Sequence, residues 1–245
     1  MEKAYRPIGV IGYNFQAMIC FLFAMEKEAA PLLEDSQILE ATLTGNTHFY
    51  LCEKNERKYL VGITGIGKVF AGSAVAEMRL KYPTINAILN IGVGGSLDAE
   101  KAPLLSLVIG EKYVEHDFDT TSFGDPLGLL PSINKVYLNA DPDLMSLVER
   151  AAKKTSFKCA KGTISTGDRF IEAKEDREAL KKRFNSLSCD MESGAMAQIA
   201  YVYQIPFCAA RVVSDTGVTP NEYAENWEKA AKLSKTLIDS ILGLL

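Results

Sequence analysis

Short apolar runs rich in β-branched and aromatic residues alternate along the chain with segments of helical period. This alternation is typical of an α/β sheet covered by helices on its faces. It predicts strands at 18–24, 58–64, 86–92, 106–114, 160–165 and 206–213. Helices are predicted to begin near Lys27, Lys68, Asp141, Lys174, Glu192 and Tyr223. The start at Asp141 is the clearest, because Asp caps free backbone N–H groups and Pro142 fits the first helical turn.

The chain has 245 residues, which is enough to bury the core of one large α/β domain. No Pro-, Ser- or Gly-rich linker and no internal repeat divides it, so a single domain is expected. The first predicted strand starts at Met18. We therefore interpret residues 18–245 as the domain, and residues 1–17 as an N-terminal extension or edge segment of unknown role.

Composition argues against several classes of protein. The formal net charge is −4, from 31 acidic and 27 basic residues without a long Lys/Arg cluster, which gives little basis for nucleic-acid binding. The basic run "ALKKRF" (179–184) is interpreted as the solvated face of a helix. The apolar run "MICFLFAM" (18–25) is too short to span a bilayer and lacks the features of a signal peptide, so no membrane association is expected.

Cysteine and histidine usage predicts a cytoplasmic protein without a metal. The five cysteines have no CxxC spacing and mostly lie in or beside apolar runs, which is typical of buried, reduced thiols. The only histidines, His48 and His116, are far apart and lack the companions that a zinc site needs. Asp117 and Asp119 follow His116, but a hydrogen-bonded loop explains this group better than a metal site.

Glycine or polar residues occupy five predicted strand-to-helix junctions: "TGIGK" (64–68), "NIGVGGSL" (90–97), "STGDRF" (165–170), "CDMESG" (189–194) and "VVSDTG" (212–217). Ligands of open α/β sheets bind beyond the carboxyl ends of the strands, so these junctions could face one cleft. "TGIGK" matches neither GxxxxGK[ST] nor GxGxxG, which favours a tight turn over a phosphate cradle. The glycines of "GVGGS" (92–96) would let a strand end lie against a ligand, although a plain turn fits them equally well.

Acidic residues at these junctions carry more information. Glu28, Glu192 and Asp215 each follow an apolar segment, where a capping or first-turn acid is the ordinary explanation. Their coincidence at the predicted cleft, with Arg211 on the same side of its strand as Asp215, favours a site. For Asp190, capping remains a sufficient explanation. No GxSxG elbow or Ser or Cys triad is present, so nucleophilic catalysis by the protein is not expected.

Seven segments in register resemble the nucleoside phosphorylase/nucleosidase superfamily, and most closely the bacterial 5′-methylthioadenosine/S-adenosylhomocysteine nucleosidases. They are "AMEKE" (24–28), "GIGKV" (65–69), "NIGVGG" (90–95), "HDFDTTSFG" (116–124), "STGDRFI" (165–171), "DMESGAMA" (190–197) and "RVVSDTG" (211–217). The resemblance implies a single three-layer αβα domain with a central twisted mixed sheet and a nucleoside phosphorylase-like fold. It also implies hydrolysis of the N-glycosidic bond of 5′-thio-substituted adenine nucleosides, with no cofactor.

The resemblance assigns roles around the ribose. Asp215 would be the acid that protonates or hydrogen-bonds N7 of adenine, and Glu28 would be the base that activates water. Arg211 would hold that water or the ribose. Glu192 would accept hydrogen bonds from the ribose hydroxyls, and Met191 would line the sugar.

Further roles concern the adenine and the 5′-group. Phe170 would stack on the base and the Ile171 backbone would read its edge, with Ser214 and Gly95 beside them. Phe123 would come from a neighbouring subunit to cover the 5′-thio group. The resemblance therefore implies a homodimer that binds a small-molecule nucleoside.

One departure from the family pattern keeps alternatives open. Val93 stands where the superfamily usually has a small hydroxyl residue, and its side chain cannot hydrogen-bond water or ribose. A purine nucleoside phosphorylase would need cationic and hydroxyl groups for phosphate, whereas Asn90, Val93 and Glu28 favour hydrolysis. Another purine nucleosidase, such as a futalosine hydrolase, would share the acid and the ribose glutamate. A non-catalytic nucleoside-binding protein would explain Val93, but it has no need of an acid and a base together.

Overall fold

The computed structural model describes residues 18–155 and 157–245. The expected extension at residues 1–17 lies outside the described residues. The strands are β1 (Met18–Phe23), β2 (Gln37–Thr44), β3 (Thr47–Lys54), β4 (Arg57–Ile63), β5 (Ile85–Ser96), β6 (Leu107–Glu115), β7 (Leu138–Asn139), β8 (Cys159–Thr166), β9 (Ser186–Asp190) and β10 (Phe207–Asp215). The α-helices are α1 (Glu26–Leu33), α2 (Lys68–Lys81), α3 (Pro142–Lys154), α4 (Lys174–Phe184), α5 (Ser193–Tyr203) and α6 (Glu222–Leu242).

Every predicted strand and helix is present, and four further strands, β2, β3, β7 and β9, join the sheet. Asp141 caps α3 as predicted, since its Oδ1 accepts hydrogen bonds from the backbone N–H groups of Asp143 and Leu144 at 3.1 and 3.0 Å. The strand β2 is an edge strand paired with β3 alone, and most of its side chains are exposed. Its sequence therefore carries no clear alternation of apolar and polar residues, which is the usual signal of a strand.

The sheet is mixed, with the strand order β10-β6-β8-β9-β5-β1-β4-β3-β2. The long strand β5 pairs in parallel with β1 and β10 along most of its length, and Gly95 and Ser96 then pair antiparallel with β9. Because β10 also pairs with β6, the strands β5, β10, β6, β8 and β9 form a closed ring. The sheet is therefore closed on one side, whereas the sequence suggested an open one, and the junctions at the carboxyl ends of these strands are drawn together.

Helices cover both faces of the sheet, which confirms the three-layer arrangement. Apolar residues of α1, α3 and α6 form one core cluster with the sheet, and those of α2 and α5 form the second. The last helix contributes an apolar stripe to the first cluster; its residues are Leu233, Leu237, Ile238, Ile241 and Leu242. Among the described residues, no helix combines the length and the apolar character needed to cross a membrane.

Candidate active site

A cavity of about 390 Å³ lies where β1, β5, β9 and β10 end, and all five predicted junctions contribute to its wall. This volume is in the range of small-molecule sites. Nine of the predicted site residues line it: Glu28, Val93, Gly95, Phe170, Ile171, Met191, Glu192, Ser214 and Asp215. The structure thus brings together residues that are up to 187 positions apart in the sequence, counting from Glu28 to Asp215.

A second, much smaller cavity of about 10 Å³ adjoins the first behind Glu28. Its wall includes Asn90, Glu192 and Arg211, and both Glu28 and Val93 border the two cavities. A cavity of this size is just large enough to hold one water molecule, and the wall offers several polar partners. The arrangement is suited to hold a water next to a carboxylate.

Glu28 is fixed on α1 by backbone donors. Its Oε1 accepts a hydrogen bond from Val93 N at 3.2 Å, and its Oε2 accepts one from Met25 N at 3.1 Å. Burial raises the pKa of Glu28, while these two N–H groups and the Arg211 charge act in the opposite direction. Val93 therefore serves the site through its backbone, and a hydroxyl side chain at this position is not needed to hold Glu28.

Arg211 is buried on β10 and forms an ion pair with Asp190, whose Oδ2 lies 2.7 Å from Nη2. The guanidinium also donates to both the backbone and the side-chain oxygen of Asn90. The other oxygen of Asp190 accepts hydrogen bonds from Thr166 Oγ1 at 2.6 Å and from Ser193 N at 3.3 Å, at the start of α5. Asp190 is a cap, as the sequence suggested, but capping is not a sufficient explanation because it is also the counter-ion of Arg211.

Glu192 is the N-cap residue of α5 and is 8% exposed. Its Oε1 accepts a hydrogen bond from Gly67 N at 3.0 Å. The pKa of Glu192 is raised to about 7, mainly by burial and then by the nearby charge of Asp190. The "TGIGK" junction is a tight turn before α2, as predicted, with φ of 93° at Gly65 and 96° at Gly67. It also supplies the N–H group that holds Glu192, which the sequence did not predict.

Asp215 ends β10 and is buried. Its Oδ1 accepts a hydrogen bond from Ser214 Oγ at 2.6 Å, and its Oδ2 pairs with the guanidinium of Arg177 on α4. The sequence does not single out Arg177 as a site residue, because α4 is rich in charged residues. A usable signal was its spacing from Leu180 and Phe184, at i+3 and i+7, which places Arg177 on the buried face of the helix.

Aromatic side chains form the outer wall of the cavity. The rings of Phe170 and Tyr223 meet edge to face, with centroids 5.5 Å apart, and both line the cavity. Burial raises the pKa of Tyr223, as do the charges of Glu28, Asp215 and Glu192. The Tyr223 hydroxyl is thus neutral at physiological pH, and the start of α6 forms part of the site.

Phe123 does not line the cavity of its own chain. It lies in a short 3₁₀ helix, Thr121–Phe123, with 85% of its surface exposed. Asp117, in the same polar segment, forms an ion pair with Lys68 at 2.6 Å and accepts a hydrogen bond from Asp168 N at 2.8 Å. The described residues contain no group of three or more His, Cys, Asp or Glu side chains placed to hold a metal ion.

Fold and site together define a class of protein. Residues 18–243 match the family model of the phosphorylase superfamily, and the chain belongs to this family. The chain is 30% identical over 231 residues to the 5′-methylthioadenosine/S-adenosylhomocysteine nucleosidase of Staphylococcus haemolyticus, covering 93% of this chain and 100% of the relative.

Two solved structures from Helicobacter pylori resemble the model closely. One is a 5′-methylthioadenosine/S-adenosylhomocysteine nucleosidase in complex with a pyrrolo[3,2-d]pyrimidine compound, with a TM-score of 0.87, 27% identity and coverage of 94% of this chain and 99% of that chain. The other is a futalosine hydrolase with a TM-score of 0.87, 26% identity and coverage of 94% and 98%.

Proposed function

We propose that this chain hydrolyses the N-glycosidic bond of 5′-thio-substituted adenine nucleosides, such as 5′-methylthioadenosine and S-adenosylhomocysteine. One observation carries the proposal: Glu28, Glu192 and Asp215 line one cavity, and a space of about 10 Å³ adjoins Glu28. A nucleosidase needs this combination of groups, because it must activate water, bind the ribose and assist the departure of the purine. The names of the relatives and neighbours agree with this chemistry.

In the proposed reaction, water attacks C1′ of the ribose as the C1′–N9 bond breaks. The electron pair of that bond moves into the purine, and N7 takes a proton from Asp215. The water loses its proton to Glu28, so the products are neutral adenine and the free thioribose. Protons then return Glu28 and Asp215 to their starting states through solvent. A general acid in such a position typically contributes ~10²–10⁴-fold to the rate.

Glu192 would bind the ribose and favour the transition state. The ribose hydroxyls donate hydrogen bonds to its carboxylate, with Met191 beside the sugar. Glu192 is 8% exposed, and in this buried position its anion stabilises the positive charge that develops on the sugar ring. On the base side, Phe170 offers a ring for stacking, and the Ile171 backbone and Gly95 border the purine edge.

We also propose that the active form is a homodimer in the cytoplasm. Phe123 lies outside its own cavity, while Ile66, Val69 and Phe70 near the start of α2 are apolar and exposed. Exposed apolar side chains of this kind are typical of interfaces, and a partner subunit would bring its Phe123 to the 5′-group. The five free cysteines fit a reducing compartment. Sedimentation velocity at two protein concentrations tests the dimer.

The decisive experiment is a base-release assay by mass spectrometry, with and without phosphate. The panel contains 5′-methylthioadenosine, S-adenosylhomocysteine, 5′-deoxyadenosine and inosine. We expect adenine and a free thioribose without phosphate, and turnover lowered by ~10²–10⁴-fold in Asp215→Asn. A phosphate-dependent ribose 1-phosphate product would overturn hydrolysis, and binding without any base release would identify a nucleoside-binding protein.

A second candidate activity is the hydrolysis of futalosine, which carries a 6-oxopurine base. The specific observation in its favour is the structural similarity to a futalosine hydrolase, at a TM-score of 0.87. The acid and the ribose carboxylate would serve both substrates, so futalosine belongs in the same panel. Hydrolysis of futalosine with kcat/KM above that of 5′-methylthioadenosine would make it the principal substrate.

A further inference from the structure

Arg177 lies behind Asp215 and does not line the cavity. Its Nη2 pairs with Asp215 Oδ2, and its Nη1 donates to the backbone oxygen of Ser96 at 2.8 Å. Its Nε points to the backbone oxygen of Glu172 at 3.4 Å. The guanidinium is thus held by the backbone on two sides and presents its remaining edge to the carboxylate.

Two glycines make room for this guanidinium. A Cβ atom on Gly95 would lie 3.1 Å from Arg177 Nη1 and 3.2 Å from Asp215 Oδ2. A Cβ atom on Gly217, where φ is 70°, would lie 2.7 Å from Arg177 Nε. Both glycines belong to the junction segments of the sequence, and a side chain at either position would crowd the Arg177 guanidinium.

Arg177 is the cationic group that pairs directly with Asp215. Two further titratable side chains near Asp215 are Cys189 on β9 and Tyr223 on α6, and the same cavity is also lined by the charged residues Glu28, Arg169, Asp190 and Glu192. Burial raises the pKa of Cys189 to about 12 and also raises that of Tyr223, so both are neutral near pH 7. A guanidinium stays cationic at any physiological pH and favours an ionised carboxylate beside it.

We propose that Arg177 is a positioning residue that keeps Asp215 oriented and ionised until the purine arrives. This inference rests on the proposed function. Both carboxylate oxygens of Asp215 accept hydrogen bonds, one from Ser214 and one from Arg177. Asp215 then takes up a proton from solvent with the nucleoside bound, donates it to N7 as the C1′–N9 bond breaks, and returns to Arg177 as the anion.

The affinities of two purines that differ at N7 report the charge of Asp215. In 9-deazaadenine N7 carries a hydrogen, which an ionised carboxylate accepts. In 9-methyladenine N7 has a lone pair and cannot exchange to an N–H form, so it needs a protonated acid. The ratio of the two dissociation constants, measured by calorimetry at pH 7.5, reports the state of Asp215 without any hydrolysis.

We expect wild-type protein to favour 9-deazaadenine, and Arg177→Gln to lower that preference by about tenfold or more, because loss of an adjacent cation eases protonation. Arg177→Lys, which keeps the charge, should retain the preference. Arg183→Gln is the matched control, since Arg183 is exposed on the same helix. An unchanged ratio in folded Arg177→Gln would overturn the proposal.

Arg177→Lys also guards against misfolding of Arg177→Gln. Loss of the preference for 9-deazaadenine in a folded Arg177→Lys would contradict a role for the Arg177 charge in holding the anion. Failure to bind either purine would instead count against the proposed function itself.

Discussion

The substitution Glu192→Gln should separate stability from activity. The pKa of Glu192 is about 7 in the folded protein and 4.5 is its ordinary value, so the folded state disfavours the charged form. Each pKa unit corresponds to about 1.36 kcal/mol, which gives about 3 kcal/mol for the whole shift. The group is 8% exposed, so little solvent screening reduces this figure.

The sign of the effect follows from proton binding. Below pH 4.5 Glu192 is protonated in both the folded and the unfolded chain and carries no penalty. Between pH 4.5 and about 7 the unfolded chain ionises first, so the free energy of unfolding falls as the pH rises. Above about 7 the full penalty is present. Glutamine cannot ionise, so the variant lacks this decline.

Urea denaturation at pH 5 and pH 8, at one protein concentration, measures the difference. The variant should gain about 2.5 kcal/mol relative to wild type between the two pH values, or about 5–10 °C in Tm. Hydrolysis should be severely reduced, because an amide lacks the negative charge that stabilises the positive charge on the sugar ring. Glu178→Gln is the control, since Glu178 is exposed on α4. If Glu192→Gln and wild type show parallel pH dependence, burial does not set the protonation of Glu192.

Three further substitutions test other parts of the site. Asp190→Asn leaves the buried Arg211 guanidinium without its counter-ion, and chemical denaturation should show a loss of about 3–5 kcal/mol. Asp215→Asn should lower turnover by ~10²–10⁴-fold with the fold intact by circular dichroism, and near-normal turnover would remove Asp215 from the mechanism. Val93→Ser should change kcat/KM by less than about threefold, because the backbone N–H at this position holds Glu28. A gain of ~10-fold would show that the missing hydroxyl limits the wild-type enzyme.

The sequence predicts those parts of the fold where one pattern decides the structure. The buried strand β1 is a continuous apolar run, β10 begins as one, and α3 has both a cap and an amphipathic face, so local residues suffice. The strand β9 is short and begins with two serines in three residues, and its strand state depends on pairing with β5 and β8. Such pairing is a property of the assembled sheet and leaves little trace in the segment itself.

The same distinction applies to the site. Junction acids are visible in the sequence because glycine and polar residues interrupt apolar runs, and Glu28, Glu192 and Asp215 do line one cavity. Their partners are not visible, because Arg177 comes from a different helix and the Gly67 N–H from a turn 125 residues before Glu192. A hydrogen bond of this kind depends on where two distant elements meet, which no local pattern encodes.

Charge pairing divides the four carboxylates of the site into two kinds. Each aspartate has a buried guanidinium, Asp190 with Arg211 and Asp215 with Arg177, whereas Glu28 and Glu192 have no ion pair within the described residues. These two glutamates are also the groups whose pKa burial raises.

A raised pKa makes Glu28 a stronger proton acceptor, which suits the proposed activation of water. An arginine paired directly with Glu28 would weaken that base, so the structure instead holds the carboxylate with the uncharged N–H groups of Val93 and Met25. Asp190 also protects the basicity of Glu28. Because Asp190 neutralises Arg211, this cation borders the small cavity without fully suppressing proton acceptance by Glu28.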